Sequence, residues 1–380
     1  MRNEDRLKPQ KHDLVLGGNN PPLTNALVLG GIEGVKRRFS LAKSESEKIA
    51  VLKDAVQYSD SGEDFLGDVF YTETGKIQWL AAVLISETNN ETYKQLLVDY
   101  FTEIILNDLS LWNSWKQEIP KLRIYLRGCK LNYPEFYYRN PNFYNFYGTK
   151  VSTKIDLSYA DLTEANLSWH NYSHSNFSHA NLDRANLSGT NLEHTNLDNT
   201  LLTNANLTQA SLNRASLSKT NCDRANLTSV TFLASIIDRA TFTATIFKQN
   251  NFTAASLSNL TFKNSNLINT TFQESSLVNI NFINCNLQNT NFSQASLDRV
   301  TFDNCDLNQS KFERLNNDGQ VMFKNSYLKN SHFSFTPLHG YIFNNVNLKK
   351  ADFNWCNFKD TKFINTNLNK TIFINCTGDR

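Results

Sequence analysis

The sequence predicts a mixed fold: a small α-helical N-terminal domain followed by a solenoid built on a five-residue repeat. Two observations carry this. From about Ile155 onward, units such as Ala160-Asp161-Leu162, Ala165-Asn166-Leu167, Ala180-Asn181-Leu182 and Ala185-Asn186-Leu187 recur in steps of five. That period is neither the 2.0 of a strand nor the 3.6 of a helix, so it defines an architecture of its own. Before about residue 150 the period is almost absent, and six of the seven prolines lie there.

The elements follow in chain order. Residues 1–43 form a polar N-terminus and a Gly/Pro-rich segment, with similar strings at Leu14–Gly18 and Leu27–Gly31 around Asn19, Asn20, Pro21 and Pro22. The first residues lack the pattern of a secretory signal. Ser44 and Glu47 make a capping-box signature ahead of Ile49, Leu52 and Val56. Ile77, Leu80, Ala81 and Leu84 give a second amphipathic stretch, and Tyr93, Leu97, Tyr100, Phe101, Ile104 and Ile105 a third. These place a helical domain at residues 44–130. Its longest apolar run, Trp79 to Ile85, is too short to span a bilayer. Residues 131–154 are read as a linker and N-terminal cap: the aromatics crowded between Tyr133 and Tyr147 suit the cover that the open end of a solenoid needs.

The A-(D/N)-L-x-x unit resembles the pentapeptide-repeat family, over residues 155–376. The resemblance implies a right-handed quadrilateral β-helix with four pentapeptides to each twenty-residue coil. It implies that the central residue (i) and the small residue at i−2 point inward while the other three face solvent. At the spacing of hydrogen-bonded strands such a rod is roughly 50 Å long, and each inward Leu or Phe contributes about 1.5–3 kcal/mol by burial.

Sorting central residues by twenty-residue phase gives one face with Leu162, Leu182, Phe242, Phe262, Phe282 and Phe302. The opposite face carries Phe232, Phe252, Phe272, Phe292 and Phe312, and the two faces between are nearly all aliphatic. These are read as structural core ladders. A register break occupies residues 313–322, where Phe312 and Phe323 stand eleven positions apart. One extra residue in one coil returns Phe323, Phe343 and Phe363 to the first ladder. The break contains the turn signal Asn317-Asp318-Gly319, and Arg314, Asn317, Asp318 and Gly319 form a candidate loop for partner binding.

The stretch from about residue 14 to 105 is similar to the N-terminal region of certain cyanobacterial pentapeptide-repeat proteins. That likeness implies a HEAT-like helical domain, a type that binds other proteins through a helix face, and brings no catalytic residues with it.

The catalytic inventory is thin. Gly31 to Arg37 lacks the spacing and final hydroxyl of a phosphate-binding loop, and G-x-G-x-x-G, H-E-x-x-H and G-x-S-x-G are absent. Cys285, Cys305, Cys356 and Cys376 take inward i−2 positions and read as core filler. His174 and His194 sit outward one coil apart beside Glu193, which is too few ligands for a closed metal site. No cofactor and no metal is expected.

Charge separates the partner classes. Residues 151–380 hold 19 Lys and Arg against 17 Asp and Glu. A rod that mimics duplex DNA needs a strong acidic line density, and a nonspecific nucleic-acid binder needs a basic excess. The expectation is a non-enzymatic protein–protein interaction scaffold or adaptor, cytoplasmic, with no nucleic-acid partner and no membrane span. End-to-end homodimerisation through the C-terminal coil is expected from Phe373 and Cys376 near its edge. The resemblance to pentapeptide-repeat proteins implies one alternative, a DNA-mimicking binder of a topoisomerase such as gyrase; the other is an enzyme with an unrecognised site in the N-terminal domain.

Overall fold

The computed structural model describes residues 31–88, 90–118, 124–131, 154–316 and 319–378. The aromatic segment from Tyr133 to Tyr147 and loop residues Asn317 and Asp318 lie outside the described residues. Helices precede a parallel β-solenoid, the mixed architecture the repeat predicted. The chain forms two compact units, one of residues up to Leu97 with 122–125, the other of Val98–Lys121 and everything from Leu126.

The helices are α1 (Gly31–Leu41), α2 (Glu45–Ala55), α3 (Ser59–Thr72), α4 (Gly75–Ser86), α5 (Glu91–Asn107) and α6 (Leu109–Glu118). Ser44 caps α2 by accepting the Glu47 N–H at 3.2 Å, and the Glu47 carboxylate accepts the Lys43 N–H at 2.7 Å. In α4, Ile77 and every residue from Trp79 to Ile85 are buried, so this helix is the centre of the first unit and packs on α2 and α3. Helix α1 falls in the segment read from sequence as Gly/Pro-rich. It buries Val35 and Phe39 four residues apart, and Phe39 meets Phe65 of α3 edge to face. Among the described residues no helix is long and apolar enough to cross a membrane.

Each position of the repeat has a backbone reason. The central N–H donates to a carbonyl one coil on, as Leu162 does to Asn181 at 2.7 Å, and the i−1 N–H donates one coil back, as Asn181 does to Ala160 at 2.9 Å. The i−1 Asn or Asp is favoured because its side-chain oxygen accepts the N–H two residues on, as Asn166 does from Ser168 at 3.2 Å. The i+2 residue turns the corner in the left-handed region; Glu164, Arg184 and Asn204 hold φ of 60°, 56° and 57°. At i−2, an inward hydroxyl or thiol donates to a central carbonyl, either of the preceding coil, as Thr190 to Leu167 at 3.1 Å and Cys356 to Phe333 at 3.0 Å, or of the pentapeptide just before, as Ser331 to Leu328 at 2.7 Å. The small residue therefore fills space and satisfies a buried acceptor.

Strands Ser256–Lys263, Ser276–Ile283 and Ser296–Asp303 pair in parallel with equivalent residues aligned, as Phe262 with Phe282 and Phe282 with Phe302. Beyond them the offset changes by one, Phe302 pairing with Phe323, and the sheet continues to Lys362–Ile364. The register break is thus a one-residue insertion within a continuous column.

The column starts earlier than the repeat pattern does. Leu126 donates its N–H to Asp161 at 2.8 Å, Gly128 to Thr163 at 2.8 Å and Leu131 to Asn166 at 3.1 Å, while Asn166 donates back to Cys129 at 2.8 Å. Leu126–Leu131, placed by sequence at the end of the helical domain and the start of the linker, is a partial first coil paired with the coil of Leu162 and Leu167. Helix α6 covers the neighbouring edge: the Trp112 indole donates to the Asp156 carbonyl at 2.8 Å, and Asn113 bonds both Lys154 O and the Asp156 N–H. Asp108 caps α6 through the Leu111 N–H, which holds its carboxyl below the usual range.

Candidate functional site

Central side chains of the solenoid are sealed. Leu162, Leu182, Phe232, Phe242, Phe252, Phe262, Phe272, Phe282, Phe292, Phe302, Phe312, Phe323 and Phe343 are all fully buried, and Phe363 in the last coil is half-buried. Within each Phe ladder the rings stack at 4.4 to 5.1 Å between Phe232 and Phe343. Across the column the ladders meet edge to face, as Phe302 and Phe312 do at 5.9 Å and 83°. Positive ring edges thus point at negative faces, and no space remains for a ligand.

The side chains that the solenoid presents to solvent are therefore those at outward positions. The i+2 corners are mostly polar, and asparagines there form side-chain ladders, Asn284 donating to Asn264 at 3.1 Å and Asn304 to Asn284 at 3.0 Å. His174 and His194 stack on one corner at 4.5 Å and 6°. Local desolvation and the neighbouring His194 and Lys154 charges lower the His174 pKa. Burial pushes His170 down to about 4. Among the described residues no group of three or more His, Cys, Asp or Glu gathers to hold a metal.

Two buried ionisable groups stand near the first coil. Lys116 of α6 is fully buried, 5.9 Å above the Tyr159 ring, and desolvation pushes its pKa down to about 8 against the opposing pull of Asp156. Burial raises the Cys129 thiol to about 12. The cavity between Ile105, Leu109, Leu131, Ile155 and Tyr172 measures only about 20 Å³.

In the candidate loop, Leu315 is buried, Asn316 donates to the Gln294 carbonyl at 2.6 Å, and Gly319 is half-buried. Arg314 is exposed, its guanidinium 5.4 Å from the Phe335 ring centroid. Phe335 in turn stacks on Trp355 at 6.1 Å and 6°. Both rings are more than half exposed, at 52% and 56%, and both occupy left-handed corner positions. The sequence reading missed this outward aromatic column. The available signal was an aromatic at i+2 in two successive coils of one face.

Two pentapeptide-repeat family profiles match the chain. One, described as a pentapeptide repeat region, matches residues 235–312, 255–333 and 280–353, and the other, pentapeptide repeats (8 copies), matches 160–199, 195–232 and 342–377. No curated protein matches the sequence. Among solved structures the chain is similar to HetL, a pentapeptide repeat protein involved in heterocyst differentiation regulation from the cyanobacterium Nostoc sp. strain PCC 7120. That match has 18% identity and a TM-score of 0.23, covering 66% of this chain and 84% of HetL. QnrB1, a plasmid-mediated fluoroquinolone resistance protein, matches at 15% identity and a TM-score of 0.27, covering 45% of this chain and 90% of a trypsin-treated variant of QnrB1. A pentapeptide repeat protein from the Arabidopsis thaliana thylakoid lumen matches at 25% identity and a TM-score of 0.13, covering 32% of this chain and 66% of its own. With matched residues spanning nearly all of 160–377 and a coil of four five-residue sides, the chain belongs to the pentapeptide-repeat family.

Proposed function

We propose that the chain is a non-enzymatic, cytoplasmic interaction scaffold whose rod presents outward side chains to protein partners. The observation that supports this reading is the rod's in-register stacking. Nearly every outward residue has its counterpart twenty positions on at strand spacing, which gives a rigid, regular and largely neutral surface. A stacked second copy is the self-association we propose, on the last described coil, where Phe363 and Phe373 are half-buried and Leu368 is 38% exposed.

The test is photocrosslinking of the full chain in native extract. A crosslinking residue replaces exposed Tyr71 of α3 in one variant and exposed Asn259 of the solenoid in another. Discrete protein adducts, identified by mass spectrometry, are expected from at least one position. Absence of adducts from both would overturn the scaffold reading. A topoisomerase as the adduct would move the function to inhibition by DNA mimicry, which the near-balanced charge of the rod disfavours.

A further inference from the structure

The C-terminal coils depart from the rest of the rod in two ways, which meet on one side. The corner column that carries Glu274 and Gln294 lower down continues as Arg314, Phe335 and Trp355. A bulky side chain in the left-handed region is disfavoured relative to Asn or Gly, and here it is also left in water. Trp169 and Tyr159 share that backbone conformation, but Trp169 fills the space above Gly189 and Tyr159 stacks on His179 at 4.5 Å. Phe335 and Trp355 have each other and Arg314, and their edges face solvent.

The second departure is charge. Between residues 321 and 370 the sequence has seven lysines and only two acids, Asp352 and Asp360. Lys350 and Lys370 occupy the corner one pentapeptide before the Trp355 corner, and both are exposed. Neither is among the ion pairs of the described residues; the one C-terminal pair joins Lys324 to Asp303 at 3.2 Å. Between the two corners Ile372 pairs with Asp352 and the Trp355 N–H donates to Ile374, so two isoleucines, 45% and 53% exposed, lie there. Asp352 is half-buried and accepts the Asn354 N–H at 2.9 Å within its own turn. One side of the square rod thus carries a basic edge and an aromatic edge, and between them Ile372 and Ile374 lie beside the polar His332, Ser334, Asp352 and Asn354.

We propose that this side docks an acidic polypeptide segment bearing apolar side chains, its carboxylates on the Lys350–Lys370 edge and its apolar groups between Ile374 and Trp355. The inference rests on the scaffold reading and names the partner chemistry and the face. Charge complementarity calls for the acid. The ring orientation argues for a polypeptide over single-stranded nucleic acid. Bases stack on open aromatic faces, but those of Phe335 are covered by Arg314 and Trp355. What the column offers outward is ring edges, which carry partial positive charge and suit carboxylates and peptide carbonyls.

The test uses the full chain and a fluorescein-labelled synthetic peptide of alternating glutamate and leucine, followed by fluorescence anisotropy. Two double variants are compared with the parent chain: Phe335→Asn with Trp355→Asn, and Lys350→Glu with Lys370→Glu. Asn is favoured in the left-handed corner, so the first variant keeps the fold, with the thermal midpoint by circular dichroism as control. Each variant is expected to weaken binding by about tenfold or more at an unchanged midpoint. Equal binding by parent and variants, or no binding by the parent, overturns the proposal. So does tighter binding of oligothymidylate or of phosphatidylglycerol vesicles. If the peptide result is negative while crosslinks from Tyr71 or Asn259 persist, this face falls and the scaffold reading stands.

Discussion

The Trp169 ring fills the space that a side chain at Gly189 would occupy: a Cβ there would overlap the indole, and Gly189 holds a left-handed φ of 63°. The two residues are corner positions one coil apart, so a bulky corner residue is accommodated by removing its neighbour's side chain. Gly189→Ala is expected to destabilise the fold by about 1–3 kcal/mol, from left-handed strain and the displaced indole. In a Trp169→Ala background, Gly189→Ala is expected to cost clearly less, since only the left-handed strain remains. A double-mutant cycle by chemical denaturation measures the coupling; strict additivity would rule it out.

The Phe ladders should show an end effect. Phe282 stacks between Phe262 and Phe302 at 4.8 and 4.9 Å and is fully buried. Truncation to Ala there is expected to cost about 3–5 kcal/mol. Phe373 is half-buried and stacks on Phe353 at 5.4 Å, so Phe373→Ala should cost clearly less. Calorimetric unfolding of both variants ranks them.

The His174–His194 stack gives a signed acid response. The folded pKa of His174 lies below its unfolded value, so between the two the unfolded chain binds more protons. Its contribution to stability is present above pH 6.5 and is lost as pH falls through the folded pKa. His194→Asn removes the like-charge neighbour and keeps a residue suited to the corner. The fall in thermal midpoint from pH 7 to 5 is expected to be smaller in this variant.

Lys116 acts in the alkaline range. Its pKa falls from 10.5 to about 8 on folding, so the unfolded chain binds the extra proton between those values and stability from this group rises with pH across that window. Below about pH 8 both states are protonated and the contribution is flat. Subtracting the pH profile of Lys116→Met from that of the parent chain cancels the other titrating groups. The difference should rise between pH 8 and 10; a flat difference would show that Lys116 is solvated in solution.

Thiol reactivity should single out one site. Cys129, Cys222, Cys285, Cys305 and Cys356 are buried, while Cys376 is partly exposed in the last coil. Burial raises the Cys129 and Cys356 thiols to about 12, which suppresses their thiolate forms further. A maleimide pulse on the native chain followed by peptide mapping is expected to label Cys376 first and the other five only after unfolding.

The core of the solenoid was legible because inward positions tolerate little variation. A residue at i or i−2 must fit a column of constant cross-section, so Phe262, Phe282 and Phe302 repeat at a fixed step that survives even the extra residue before Phe323. The outward corner was less legible. Position i+2 demands only a left-handed backbone, which Asn, Arg, Gln, Ala and Trp all supply here, so the two aromatics Phe335 and Trp355 made only a short trace against that background.

By itself, then, the sequence determined the five-residue period and the helical character of what precedes it, both from short-range spacing. The twenty-residue coil and its inward ladders followed from the resemblance to pentapeptide-repeat proteins. Only the tertiary structure decided where the column begins and which outward residues form one surface. Leu126 and Leu131 join the first coil through bonds to Asp161 and Asn166, a separation that no local period bridges. Helix α6 seals its edge through bonds from Trp112 and Asn113 to residues more than forty positions away. The basic edge at Lys350, the exposed pair Ile372 and Ile374, and the Trp355 edge likewise meet because each coil turns its corners at fixed backbone angles. Such neighbours are set by geometry around the rod, which a linear pattern of residue types does not display.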